Sequence, residues 1–155
     1  MEEKLVSLLM EKGLTVTTAE SCTGGMIASK IVNVSGASEV FHAGFVTYAN
    51  SAKEAYAGVL SETLQTYGAV SSQVALEMAR GVAKTAGAEV GISVTGIAGP
   101  GGGSVEKPVG LVYIGCHVCG KTDYKEFHFT GDRLTIRQKS AKEAIKFAME
   151  MLENL

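Results

Sequence analysis

Two glycine-rich loops constrain this chain more than any other feature, because each follows an apolar, β-branched run that reads as a strand. The first is Ala19-Glu20-Ser21-Cys22-Thr23-Gly24-Gly25, and the second is Thr95-Gly96-Ile97-Ala98-Gly99-Pro100-Gly101-Gly102-Gly103. Hydroxyls and bare backbone thereby sit at two strand ends, where α/β proteins build ligand sites. With no Cβ in the way, backbone N–H groups approach an anion or a carbonyl oxygen closely. A bland scaffold has little use for nine loop residues of which five are glycine. These loops mark a site.

The 155 residues fit one domain spanning 1–155, large enough to bury roughly 70% of its unfolded surface. A hydrophobic content of 46% supplies an ample core, and a formal charge of −2 gives no general electrostatic case for nucleic acid. Three cysteines, an odd number, argue for a reducing compartment over a disulfide scaffold. The start, Met1-Glu2-Glu3-Lys4, is acidic and lacks the charge pattern of a signal peptide. No apolar run approaches the ~20 residues that span a bilayer. The expectation is a cytoplasmic protein with no membrane and no nucleic-acid partner.

Leu5, Leu8 and Leu9 predict a short amphipathic helix from Glu2 to Gly13, and Leu14–Thr18 reads as a strand. A helix with small residues on one face follows over Gly24–Val34, then a strand over Ala43–Tyr48. Asn50 or Ser51 is placed to cap a helix over Ala52–Tyr56. Ser61–Tyr67 is a further short helix, and Ser72 caps a longer one through Ala86 carrying Val74, Met78 and Val82. Val90–Val94 is a buried strand, and Val109–Ile114 with Tyr124–Phe129 forms a hairpin around Gly120. A last helix opens at Asp132, with Ala141, Ala144, Ile145, Ala148, Met151 and Leu152 at helical spacing. Single and hairpin-connected strands mixed with helices imply an α/β fold: one three-layer α/β/α domain with a mixed sheet.

One motif is refused. Gly115-Cys116-His117-Val118-Cys119-Gly120-Lys121-Thr122 matches the phosphate-loop pattern letter for letter. That loop needs a helix directly after its lysine, so that the N-terminus faces the phosphates, whereas Asp123–Phe129 alternates like a strand. The same stretch is a poor metal site. Zinc wants four ligands, and Cys116 and Cys119 would point to opposite faces of a strand, with only the distant His128 to help. His42 reads as structural.

Ser21 stands between strand and helix, where its hydroxyl is either a nucleophile served by the N–H groups of the Cys22–Gly25 turn or a helix cap. Cys22 has no histidine evidently placed to activate it. For Ser21, the candidate base is Lys53, with Tyr48 relaying or orienting the proton across the turn Ala49-Asn50-Ser51-Ala52; a solvated helix lysine is the other reading. Glu20 either orients Lys53 or hydrogen-bonds the turn. Arg133, Arg137 and Ser140 share one face of the last helix, and cations in its first turns hint at a phosphate or carboxylate ligand, a surface salt bridge being the alternative.

Taken together the motifs resemble one family, the C-terminal domain of the competence-damage-inducible protein CinA, the nicotinamide mononucleotide deamidases. Besides Ala19–Gly25 and Thr95–Pro100, the matching stretches are Gly44-Phe45-Val46-Thr47-Tyr48-Ala49-Asn50, Gly68-Ala69-Val70-Ser71, Lys107-Pro108-Val109-Gly110, and Gly131-Asp132-Arg133 through Ile136-Arg137. They run in order over nearly the whole chain. The resemblance implies hydrolysis of the carboxamide of nicotinamide mononucleotide to nicotinate mononucleotide and ammonia. It makes Ser21 the nucleophile, Lys53 its base and Tyr48 an aid to proton transfer. Glu20, Thr23, Gly24 and Gly25 join the substrate site. So do Thr95 and the Gly96–Gly103 loop, Gly96, Gly99 and Gly101 in particular, while Arg137, with Arg133, holds the phosphate or orders the site. It also implies no metal and no organic cofactor, a homo-oligomer, and a stand-alone form without the additional N-terminal domain that many relatives carry. The reading from another class is a non-catalytic nucleotide- or phosphate-binding regulatory module, and a phosphate-loop NTPase is a weaker third.

Overall fold

The computed structural model describes residues 1–155. The chain opens with α1 (Glu2–Lys12), whose end is set by Gly13 in the left-handed region at φ 67°. Strand β1 (Val16–Glu20) follows, two residues later than the apolar run suggested, and then α2 (Met26–Val32). Strand β2 (Phe45–Val46) leads to α3 (Asn50–Ala57), α4 (Ser61–Tyr67) and α5 (Ser72–Ala86). Strand β3 (Val90–Gly96) enters the centre of the sheet, β4 (Leu111–Val118) and β5 (Lys121–His128) form the hairpin, and α6 (Arg133–Glu153) closes the chain.

The five strands lie in the order β2-β1-β3-β4-β5. β1 is parallel to both β2 and β3, while β3–β4 and β4–β5 are antiparallel, so the sheet is mixed as expected. Helices α1, α2 and α6 pack together on one face and α3, α4 and α5 on the other, giving the three layers. The larger apolar cluster, from Leu5 through Ile92 and Ile145 to Leu152, fills the first interface; Ala19, Ala57, Val74, Met78 and Val82 fill the second. No helix is long and apolar enough to cross a membrane. After Lys121 the chain enters β5, so no helix N-terminus faces the Gly115–Thr122 segment; Cys116 is buried in the core and Cys119 is exposed in the turn.

Three local expectations are corrected. Ser71, not Ser72, caps α5: its hydroxyl accepts from the Val74 N–H at 3.2 Å and donates to the Gly68 carbonyl at 2.9 Å. Neither Asn50 nor Ser51 caps α3, which starts behind an extended Ala49 with no side-chain cap. β2 is far shorter than the Ala43–Tyr48 run. The Ala43 carbonyl accepts from the Thr17 hydroxyl at 2.7 Å, and the carbonyls of Thr47 and Tyr48 turn to the Lys53 amine, so the ladder stops on both sides.

Helix α5 lies unusually near its neighbours. A Cβ on Gly91 would stand 2.2 Å from the Ala79 carbonyl oxygen, and one on Gly115 would stand 2.4 Å from that of Ala75, which also accepts from Ser93 Oγ at 2.7 Å. On the other side, a Cβ on Gly81 would meet the Ala57 carbonyl oxygen at 1.7 Å, where α5 crosses the end of α3. Replacing a helix-interior glycine by alanine ordinarily stabilises by about 0.5–1 kcal/mol. Here the sign reverses: Gly81→Ala is expected to cost about 1–3 kcal/mol, because α3 and α5 must separate. Urea denaturation reads this, and a stabilised variant would refute the close approach.

Candidate active site

Strand topology puts a crevice at the carboxyl end of β1. The connection from β1 to β2 runs through α2 on one face, and that from β2 to β3 runs through α3, α4 and α5 on the other. Neighbours on either side of β1 are thus reached over opposite faces, which leaves an opening beyond the strand ends. Ser21 is the first residue past β1, Thr47 and Tyr48 lie past β2, and Gly96 ends β3.

Lys53 reaches back from α3 into this opening and is 1% exposed. Its Nζ lies 3.1 Å from Ser21 Oγ, 2.9 Å from the Thr47 carbonyl oxygen and 3.2 Å from that of Tyr48. None of the chain's ion pairs includes it. Burial therefore pushes its pKa below the ordinary lysine value, with no carboxylate to hold the proton. Protonated, the amine donates to all three oxygens; once it loses a proton, two N–H groups serve the two carbonyls and the lone pair is free to accept from the Ser21 hydroxyl.

Ser21 does not cap α2. That position is taken by Gly25 at φ 104°, and the free N–H groups of Ile27 and Ala28 donate to the two oxygens of Glu20 at 2.8 and 3.0 Å. Glu20, 1% exposed, is therefore a helix anchor facing away from Lys53 and lines no part of the cavity. Arg137 holds the turn from its other side. Its Nε donates to the Cys22 carbonyl at 2.8 Å and its Nη2 to that of Thr23 at 3.2 Å. With those carbonyls tied back, the N–H groups of Cys22 and Thr23 donate to nothing within the protein. Gly24 packs against Arg137, where a Cβ would meet Nη2 at 3.3 Å, and the buried Thr23 hydroxyl has no partner. The Cys22 thiol is buried and pushed up to about 11, so it stays protonated at neutral pH.

A cavity of about 210 Å³ opens over Ser21, walled by Cys22, Tyr48, Arg133 and the loop from Gly96 to Gly102. Of the residues singled out from sequence, the structure gathers Ser21, Tyr48, Gly96, Gly99, Gly101 and Arg133 here, with Lys53 beneath Ser21. Thr23, Gly24 and Gly25 form the turn behind the cavity wall, and Glu20 and Arg137 brace it; none of the five lines the cavity. Thr95 also stands apart: its hydroxyl donates to the Ala69 carbonyl at 2.8 Å and pins the segment before α5. The Tyr48 phenol is not on Lys53; it accepts from Arg133 Nη2 at 3.1 Å, and only the Tyr48 carbonyl meets the amine. Ala98 and Gly102, within the Gly96–Gly103 loop, also line the cavity, and their N–H groups have no internal acceptor. Main-chain groups leave no residue-type signal except the glycines that uncover them. No three His, Cys, Asp or Glu side chains converge anywhere as a metal would need.

Known proteins place this geometry in context. The family described as the CinA C-terminal domain matches residues 1–152. A CinA-like protein of Kosmotoga olearia is 55% identical over 152 residues, which is 98% of this chain and 37% of the relative. The chain thus spans a little over a third of the length of such relatives. Among solved structures, competence/damage inducible protein CihA of Agrobacterium tumefaciens is 43% identical with a TM-score of 0.90, covering 98% of this chain and 95% of that one. A CinA superfamily protein of Klebsiella pneumoniae 700603 is 31% identical with a TM-score of 0.95, covering 99% and 96%.

The buried amine has a signature in stability. Where folded Lys53 has lost its proton and the unfolded lysine still carries one, the unfolded chain binds more protons, so stability rises with pH. That window runs from the depressed folded pKa up to the ordinary 10.5. The wild type is therefore expected to gain stability relative to Lys53→Met across it. Burial raises the Cys22 and Cys116 thiols, whose contributions run the opposite way; that of Cys116 cancels in the difference, whereas Cys22 feels the Lys53 charge and is held constant by making both proteins in a Cys22→Ala background. Chemical denaturation of both proteins at a series of pH values measures this, and a flat difference would mean that Lys53 keeps its proton.

Proposed function

This chain belongs to the CinA C-terminal domain family, and we propose that it is an amidohydrolase that converts nicotinamide mononucleotide and water to nicotinate mononucleotide and ammonia. The observation that carries the reading is the buried contact between Lys53 Nζ and Ser21 Oγ at 3.1 Å, with no carboxylate beside the amine. A serine hydroxyl is a weak nucleophile until a base takes its proton, and a desolvated lysine is such a base near neutral pH.

Ser21 Oγ attacks the carboxamide carbon while its proton passes to the Lys53 lone pair. The carbonyl oxygen becomes an oxyanion, which the unengaged N–H group of Cys22 at the cavity wall suits. The Lys53 ammonium then returns the proton to the departing nitrogen, which leaves as ammonia from an acyl-Ser21 intermediate. Water attacks that ester, Lys53 takes its proton, and Ser21 Oγ recovers a proton as nicotinate mononucleotide departs. The backbone donors of Ala98, Gly99, Gly101 and Gly102 together with Arg133 suit an anionic ligand in the same cavity.

Ammonia release from nicotinamide mononucleotide by chelator-treated protein tests the reading. Ser21→Ala is expected to abolish turnover and keep ligand-induced thermal stabilisation. Silence from the wild type, with stabilisation intact, would make the domain a nucleotide-binding module instead.

The rate should also rise with pH as Lys53 loses its proton, with a midpoint below the 10.5 of a free lysine. Lys53→Met is expected to lose about 10²–10⁴-fold in kcat and to lose that pH dependence. A rate that falls over the same range would remove Lys53 as base.

A further inference from the structure

The guanidinium of Arg133 stretches across the mouth of the cavity. Nη1 donates to the Gly99 carbonyl at 2.8 Å and Nη2 to the Tyr48 phenolic oxygen at 3.1 Å. Those acceptors belong to opposite walls: Gly99 to the loop after β3, and Tyr48 to the segment between β2 and α3. Both are neutral. Arg133 is the first residue of α6, where the helix dipole disfavours a cation, and none of the chain's ion pairs includes it. A positive charge is thus held at the cavity mouth by two neutral oxygens, one of them on a residue expected to move a proton.

We infer that Arg133 reads an anionic group on the substrate and does so as a latch, releasing the Tyr48 phenol when it takes the anion. The inference rests on the amidohydrolase reading above and deepens it. An anion gripped end-on by Nη1 and Nη2 meets the two nitrogens that now hold Gly99 and Tyr48. With both partners charged and two parallel bonds formed, a guanidinium–phosphate pair is stronger than the same nitrogens on neutral oxygens, so the anion displaces them.

Tyr48 is 63% exposed, and its carbonyl already lies 3.2 Å from Lys53 Nζ. Once free, its ring rotates about a backbone anchored at the Ser21–Lys53 pair. There the phenol can relay the proton held on the Lys53 ammonium to the departing nitrogen, taking one proton as it gives one up, whereas on Arg133 it cannot. Specificity for an anionic substrate is therefore expressed in kcat. An arginine that only bound phosphate would act on KM alone.

The test compares nicotinamide mononucleotide with nicotinamide riboside, which lacks the phosphate, in wild type, Arg133→Leu and Tyr48→Phe. The wild type is expected to turn over the riboside with a kcat about tenfold lower, and saturating inorganic phosphate should restore most of it. Arg133→Leu should turn over the riboside about threefold faster than the wild type, with no response to phosphate, because nothing holds Tyr48. Tyr48→Phe should likewise ignore phosphate. If Arg133→Leu raises KM for the mononucleotide and leaves riboside kcat at the wild-type value, the latch is overturned.

Fluorine NMR of 3-fluorotyrosine-labelled protein reads the latch without turnover, with the Tyr48 resonance assigned from Tyr48→Phe. Phosphate and nicotinamide mononucleotide should shift that resonance in the wild type and leave it in place in Arg133→Leu. A wild-type resonance that both leave unmoved would overturn the inference. Should the wild type release no ammonia from the mononucleotide, the amidohydrolase reading fails on its own, and the resonance still decides the latch.

Discussion

A primary amine buried without a carboxylate is costly, and the region around β1 is arranged to hold one. The oxygens that surround Lys53 Nζ come from the ends of two neighbouring strands, Ser21 after β1 and Thr47 with Tyr48 after β2. β2 stops after two paired residues because its next carbonyls serve the amine, and α3 begins at once so that Lys53 reaches back from its first turn. Strand alternation keeps charge away. Ala19 faces the α5 side of the sheet and Glu20 the α2 side, so the nearest carboxylate in sequence ends up on the helix N-terminus and cannot protonate the lysine by pairing with it.

The outline of this arrangement is legible in the sequence. β-branched runs ending in hydroxyl- and glycine-rich loops give strand ends, and period-3.6 apolar spacing gives α5 and α6. Boundaries are less legible because they depend on partners. The Thr47 and Tyr48 carbonyls leave the ladder for a side chain six and five residues away, which no β-propensity records. Cap choice between Ser71 and Ser72 turned on which hydroxyl also reaches Gly68.

Roles within the site divide in the same way. Arg133 and Arg137 share a helix face four residues apart, and spacing alone treats them alike. One turn of helix carries Arg133 to the cavity mouth and leaves Arg137 under the Ser21 turn, on the carbonyls of Cys22 and Thr23. Glu20 was equally ambiguous: residue type announces an acceptor, and only the path of α2 decides that its oxygens meet Ile27 and Ala28. Thr95 drew notice from its place beside the glycines, yet its hydroxyl serves the Ala69 carbonyl.

Two ionic groups thus brace this segment, the buried carboxylate of Glu20 on the α2 N–H groups of Ile27 and Ala28 and the half-buried guanidinium of Arg137 on the carbonyls of Cys22 and Thr23. Each bond removes a backbone group from competition for the cavity, and what is left unengaged is a set of N–H donors at Cys22, Thr23, Ala98, Gly99, Gly101 and Gly102. A cavity whose polar lining is mostly main chain is rigid where it must receive developing negative charge and tolerant in its side chains. Only Ser21, Lys53, Tyr48 and Arg133 remain for chemistry and selection. Of these, Ser21 and Lys53 are buried and fixed, while Tyr48 and Arg133 are exposed and joined only to each other and to the Gly99 carbonyl at the side-chain level. On the proposed amidohydrolase reading, reactivity belongs to the buried pair and discrimination to the exposed one.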